Sequence, residues 1–175
     1  DGKLLRGPNG FAGELGHITI DRDGPRCNCG NTGCLEALAS GTAIARMAVE
    51  RLRARGDDSA VMAMAEGNLE NVTAALVFRA TYQKDPLAEE VLREASQALA
   101  LGVVSCIHIF SPRLVILGGG VCKDLHLCYP TLLSTIQKNI MANMRGRVSV
   151  VPSLLWDDAG LLGAAALFFG EPEEG

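Results

Sequence analysis

At 175 residues the chain is long enough for one domain that buries a core without disulfide or metal staples throughout. Its residues are 48% hydrophobic and 21% charged, the balance of an ordinary globular protein, and no stretch reaches the ~20 apolar residues of a membrane span. A formal net charge of −4 argues against a general nucleic-acid surface.

The first residues, Asp1-Gly2 followed by Lys3-Leu4-Leu5-Arg6-Gly7, read as a hairpin turn entering its second strand. No first strand precedes the turn, so the sequence is expected to be the back part of a longer polypeptide. Short strands are predicted over residues 3–7 and 14–20, the second ending in the alternation His17-Ile18-Thr19-Ile20. His17, Cys27, Cys29 and Cys34 then fall within eighteen residues. One imidazole and three thiols match a closed Cys₃His zinc site, because tetrahedral zinc takes four nitrogen or sulfur ligands. Gly24, Gly30 and Gly33 let the backbone turn tightly enough to aim the thiols at one point. The alternative is two disulfides or free thiols, although a pair spaced like Cys27 and Cys29 rarely has disulfide geometry. Six cysteines with three so clustered suggest a reducing, cytoplasmic setting, and no signal peptide opens the chain. Cys106, Cys122 and Cys128 lie in apolar or helical contexts and are expected to be buried small hydrophobes.

A short helical turn over residues 34–39 carries Glu36. Ser40 is the expected N-cap of a helix over 41–55, with Ile44, Met47, Ala48 and Leu52 at helical spacing. Breaks follow at Gly56-Asp57-Asp58-Ser59 and at Gly67-Asn68, and residues 71–80 are helical. Asp85-Pro86 opens a long helix to residue 110, with Asp as cap and Pro in the first turn, and Ser111-Pro112 stops it. Its later part, with Leu99, Leu101, Val103, Val104 and Ile107, is apolar nearly all round, as in the middle of a core. Residues 113–117 form a buried strand that runs into Gly118-Gly119-Gly120. Those glycines suit either a nucleotide approaching the strand end or a tight turn, and they match neither a P-loop nor a Rossmann motif. Helix over 132–144, strand over 148–151 and a final helix opened by Asp157-Asp158 complete the order; Gly160 and Gly163 in that helix are read as allowing close helix packing. Alternating strands and helices imply an α/β layered domain with a partly parallel sheet.

These segments resemble the ROK family (repressors, open reading frames and sugar kinases). The resemblance rests on Asn9-Gly10-Phe11-Ala12-Gly13-Glu14-Leu15-Gly16-His17, on Cys27-Asn28-Cys29-Gly30-Asn31-Thr32-Gly33-Cys34-Leu35-Glu36, and on Ala39-Ser40-Gly41. Leu117-Gly118-Gly119-Gly120-Val121 and Ala159-Gly160-Leu161-Leu162-Gly163-Ala164-Ala165 follow in family order. The resemblance is strongest to bacterial ROK glucokinases, then to N-acetylmannosamine kinases. It implies that residues 1–175 are the C-terminal lobe of an actin-like, ribonuclease-H-like ATPase carrying a zinc loop at 17–34. By the same resemblance, Glu14, His17 and Glu36 bind a hexose, His17 sharing its ring between zinc and sugar. The zinc is then structural, and Gly118, Gly119 and Gly120 approach the adenosine part of ATP, which arrives with Mg. The family's phosphate loop (Asp-x-Gly-Gly-Thr) and catalytic Asp match nothing here, so no catalytic residue is assigned and the lobe alone is expected to be inactive. The chain departs from the family at Ala80-Thr81-Tyr82-Gln83-Lys84-Asp85, where a short Ala-Gly-Asp turn is usual. The resemblance also implies homo-oligomers, and it leaves two other classes open. One is the sugar-sensing half of a ROK transcriptional repressor, which would bind DNA through an upstream helix-turn-helix. The other is a stand-alone zinc-stabilised interaction module.

Overall fold

The long helix that the sequence predicts after Asp85-Pro86 spans Pro86–Phe110 and runs through the middle of the core. The computed structural model describes residues 4–55, 58–155 and 158–169. In chain order these form α1 (Leu35–Ala39), α2 (Gly41–Arg55), α3 (Ala60–Met64), α4 (Ala74–Tyr82), α5 (Pro86–Phe110), β1 (Leu114–Leu117), α6 (Leu125–Asn139), β2 (Ser149–Pro152) and α7 (Ala159–Phe169). Helix α5 buries Leu87, Val91, Leu92, Val103, Val104 and Ile107 against Ile44, Met47 and Leu52 of α2, Val77 and Phe78 of α4, and Leu132 and Ile136 of α6. Each such side chain contributes about 1.5–3 kcal/mol when fully removed from water. Helix α5 ends where Ser111 turns left-handed, at φ +46°, ahead of Pro112.

Strands β1 and β2 are parallel, with Val115 opposite Val150, and α6 is the crossover between them. Val115 and Leu117 face the core, while Leu114 and Ile116 face outward. Of the free thiols beyond Cys27, Cys29 and Cys34, Cys122 and Cys128 are buried as expected, and Cys106 is half-buried.

Asp85 does more than cap α5. It is buried, and its Oδ1 accepts from the Ala88 amide at 2.8 Å, in the N-cap role. Its Oδ2 accepts from the Ala60 amide at 2.7 Å and from the Ser59 hydroxyl at 2.9 Å, so one carboxylate ties the start of α5 to the start of α3. Asp85→Ala is expected to destabilise the fold by about 2–4 kcal/mol, since it removes a cap and leaves buried donors unmet. A urea titration reads this as a lower midpoint. Lys84, just before it, has φ +60°. A lysine here takes the left-handed turn, and α5 starts directly behind it at Pro86.

Several sequence expectations are corrected. Neither 3–7 nor 14–20 is a strand: residues 4–7 lack regular structure, Leu15–His17 is a 3-10 turn, and only isolated bridges (Thr19 with Cys34, Arg26 with Thr32) remain. A strand pattern needs a partner along its length to satisfy its backbone, and among the described residues only the short stretch at 33–35 meets residues 18–20. Helix α6 begins seven residues before the expected 132 and ends at Asn139. Pro130 lies inside it and misleads a reading that treats proline as a boundary, whereas the packing of Cys128, Leu132 and Ile136 sets the helix. Helix α4 starts at Ala74, where the Thr73 hydroxyl accepts from Leu76, because Leu69–Asn71 closes its own 3-10 turn. The turn at Asp1-Gly2, the break at Gly56-Asp57 and the helix start at Asp157 lie outside the described residues.

Candidate functional site

Residues 14–34 are held by their own backbone rather than by a sheet. The Ile20 and Asp21 amides both donate to the Gly33 carbonyl, at 2.8 and 3.2 Å, and the Gly33 amide donates to Pro25 at 2.8 Å. A Cβ at Gly33, where φ is +68°, would lie 1.4 Å from the Asp21 carbonyl oxygen, so only glycine fits. The Cys27 amide donates to Asn31 at 2.8 Å and the Gly30 amide returns to Cys27 at 3.0 Å, closing the turn that carries Cys29. Cys34 is the N-cap residue of α1, and Leu35 behind it seats against α5. A Cβ at Gly102 of α5 would fall 2.6 Å from Leu35 Cδ2, so the glycine makes room for that anchor.

These turns converge four side chains. The ligand atoms of His17, Cys27, Cys29 and Cys34 all lie within 4.8 Å of one another. His17 Nδ1 is 3.7 Å from Cys27 Sγ, and Cys29 Sγ is 3.6 Å from Cys34 Sγ. Ligands on a tetrahedron about 2.3 Å from a zinc would stand about 3.8 Å apart. The donor set and its spacing therefore fit a closed four-ligand metal site. All six cysteines are free thiols.

The electrostatics agree with that use. Cys34 is fully buried, and burial, then hydrogen bonding with the Cys29 and Cys27 thiols, pushes its pKa up to about 12. The Asn31 amide holds the Cys29 thiol below its ordinary value. Two of the three crowded thiols, Cys27 and Cys34, are buried, and a cation bound among them would offset the charge of neighbouring thiolates.

His17 presents its second ring nitrogen on the opposite side. Nε2 lies 3.7 Å from Glu14 Oε2, and the Glu14 side chain is mostly exposed. Glu36, in the first turn of α1, packs beside Gly16, where an added Cβ would be 3.6 Å from Glu36 Oε2. Glu36 also lines a cleft of about 160 Å³ with Arg26, Asn28, Thr42 and Arg46. Glu14, His17 and Glu36 thus share one stretch of surface beside the Cys/His cluster. Arg46, which sequence reasoning passes over, donates to the Ala37 carbonyl at 3.0 Å and to Glu50 at 2.7 Å, holding the turn that carries Glu36. Its only sequence signal is the i, i+4 pairing with Glu50, which is common on solvated helices.

Gly118, Gly119 and Gly120 sit at the C-terminal end of β1, where α/β sheets take ligands. Gly118 packs on Ser153, while nothing lies within 4 Å of a Cβ built at Gly119 or Gly120. Gly119, with φ +97°, starts the turn over Gly120–Asp124 that leads into α6. Gly41, at the start of α2, lies against Val121, so the glutamate-bearing α1–α2 corner abuts the glycine turn. No described residue lies within 4 Å of a Cβ built at Gly160 or Gly163.

The comparisons agree with this geometry. The ROK family model matches residues 1–171. A glucokinase of Thermotoga maritima is 40% identical over 166 residues, covering 95% of this chain and 52% of that protein. The N-acetylglucosamine repressor of Escherichia coli O157:H7 is 31% identical over 167 residues, covering 95% of this chain and 39% of that protein. The crystal structure of a ROK family glucokinase from Streptomyces griseus, in complex with glucose and AMPPNP, superposes with a TM-score of 0.85 at 34% identity, covering 94% of this chain and 54% of that one. The chain spans about half the length of the glucokinases it matches. Its fold is that of the ROK sugar kinases, an actin-like ATPase fold. A Cys/His loop, a glycine turn at a parallel strand end and a family match running through both place this chain in the ROK family.

Proposed function

We propose that the chain is the C-terminal half of an ATP-dependent hexose kinase that phosphorylates glucose at its 6-hydroxyl. The observation that carries this reading is the divided use of His17: Nδ1 faces the thiols and Nε2 faces Glu14 on the open side. His17, Cys27, Cys29 and Cys34 would hold zinc, which supplies structural cross-linking and, with all four positions filled, no open site for a catalytic water. A metal on Nδ1 leaves the proton on Nε2, so His17 donates to a sugar hydroxyl while Glu14 and Glu36 accept from others. Gly118, Gly119 and Gly120 offer bare backbone to the adenosine part of Mg-ATP. Phosphoryl transfer is positioning plus charge stabilisation, and no residue of this chain takes the proton from the sugar. The catalytic Asp and phosphate loop belong to an upstream half, and the whole enzyme works as a homo-oligomer in the cytoplasm. Among the described residues no helix is long and apolar enough to cross a membrane.

Glu14 and Glu36 are exposed in this structure and would be enclosed with a bound sugar, where an acceptor left unpaired by a wrong hydroxyl is costly, so such a site discriminates among sugars. A substrate panel on the full-length enzyme is expected to give a higher kcat/KM for glucose than for N-acetylmannosamine, and the reverse order would overturn the choice of sugar. Glu14→Gln in the same enzyme is expected to raise the KM for glucose about 10-fold or more, since a charged hydrogen bond is worth about 1.5–3 kcal/mol, with zinc content unchanged. Similarity to the N-acetylglucosamine repressor supports a second reading as a sugar-sensing regulator half, and the higher identity to the glucokinase favours the kinase. The upstream residues separate them: a phosphate loop marks the kinase, a helix-turn-helix the repressor.

A further inference from the structure

We propose that the cavity between the end of α4, the first turns of α5 and the start of α6 binds a small phosphorylated sugar, at a site apart from the Glu14, His17 and Glu36 surface. The cavity measures about 370 Å³, within the range of ~300–1,000 Å³ usual for small-molecule sites. It shares no lining residue with the cleft beside Glu36.

Its lining carries charges that the fold itself does not use. Lys84 and Glu89 have no ion-pair or side-chain hydrogen-bond partner among the described residues. Arg93 is held loosely, with Gln97 at 3.4 Å and Glu94 at 3.9 Å, while Glu94 pairs with Arg51 at 2.6 Å. Two cations on one concave surface suit a phosphate, and a guanidinium meets its oxygens in pairs. Glu89 would repel a bare anion, but a carboxylate accepts from hydroxyl groups and so fits a polyol attached to the phosphate. The Thr131 hydroxyl lies on the same wall. Leu92, which is buried, and Leu127, half-buried, offer an apolar surface to the C–H face of a sugar ring.

The rim adds a second observation. Lys84 has φ +60°, a left-handed conformation that glycine adopts freely and a residue with a side chain adopts only at a cost. Glycine would make the same turn without strain, and the lysine keeps a cation at the cavity.

The site also reaches the glycine turn. Tyr82 lines the cavity, and its hydroxyl donates to Asp124 Oδ1 at 3.0 Å, with His126 Nε2 also at 3.0 Å. Asp124 closes the 3-10 turn that begins at Gly120 and leads into α6. A ligand that hydrogen-bonds Tyr82 therefore acts on the segment assigned above to ATP. That consequence rests on the kinase reading; the binding site does not.

The test is calorimetric titration of the full-length protein with glucose 6-phosphate in phosphate-free buffer, with glucose and AMPPNP present to fill the catalytic cleft. One equivalent is expected to bind. Arg93→Gln and Lys84→Gly are each expected to weaken it about 10-fold or more, as a hydrogen bond to a charged group is lost. Glycine suits the left-handed turn, so the second variant is not expected to disturb folding. Inorganic phosphate is expected to bind about 10-fold or more weakly than the sugar phosphate, lacking the hydroxyl contacts. No binding, or binding unchanged in both variants, would overturn the proposal. Phosphate binding as tightly as glucose 6-phosphate would make the cavity a plain anion contact and overturn it equally. In the kinase assay, glucose 6-phosphate is expected to raise the KM for ATP about 5-fold or more in the wild type and not in Lys84→Gly. An equal effect in both would place the inhibitor in the catalytic cleft and overturn the link through Tyr82. A repressor half would give the same titration without turnover, so the site and the kinase reading fail separately.

Discussion

Replacing Cys34 with serine is expected to strip the loop of its metal and loosen everything between Glu14 and Glu36. Cys34 is the fully buried corner of the cluster and the N-cap residue of α1, so its sulfur would join a bound metal to the helix that carries Glu36. The wild-type full-length protein, purified without chelator, is expected to hold one zinc per chain at metal–sulfur distances near ~2.3 Å. Even an indirect supporting residue is worth about 10–100-fold in metal affinity, so losing a direct ligand should weaken zinc binding by more than about 100-fold. Because zinc binding is coupled to local folding, the loop should also become sensitive to protease. The metal should leave as pH falls, since protons compete with zinc for the thiolates. Elemental analysis with a competing chelator decides it. A metal-free protein that folds stably and binds sugar normally would refute the assignment.

Residues 1–175 by themselves are expected to show no phosphoryl transfer from Mg-ATP to glucose, and the full-length protein to restore it. In the full-length enzyme His17→Ala should remove both the metal and the sugar contact. Misplacing a reacting group by about 1 Å already costs about 100-fold, so kcat/KM should fall by at least that factor. Comparing it with Glu14→Gln separates the two duties of the ring, because only the histidine variant should lose zinc. A coupled assay of ADP release reads both variants and the isolated chain. Robust turnover by residues 1–175 alone would show that the catalytic group lies within this chain and would overturn the division into halves.

The cluster His17, Cys27, Cys29 and Cys34 was legible because one imidazole and three thiols within eighteen residues match the donor set of a closed four-ligand site, with glycines between them that permit tight turns. The 25-residue span of α5 was legible to the residue, since Asp85-Pro86 and Ser111-Pro112 are local signals that act through backbone chemistry at each end. Glu14, Glu36 and the glycine triplet were different. Their residue types suit a solvated loop and a plain turn equally well, and only the family resemblance gave them roles.

What the tertiary structure decided is what depends on distant partners. Pro130 lies within α6 because Cys128, Leu132 and Ile136 pack on the core, a contact no local window contains. Asp85 became a junction between α3 and α5 because Ser59 and Ala60 arrive beside it from 25 residues and more upstream. The alternating residues 14–20 did not form a strand, since strand geometry is stable only against a neighbour that meets its backbone groups. Local chemistry thus determined the Cys/His cluster and the ends of α5 from the sequence by itself. Strand pairing, the path of α6 and the exposed face of β1 were decided by which parts of the chain meet in space, because hydrogen bonds between strands and burial of apolar surface are satisfied only by partners remote in sequence.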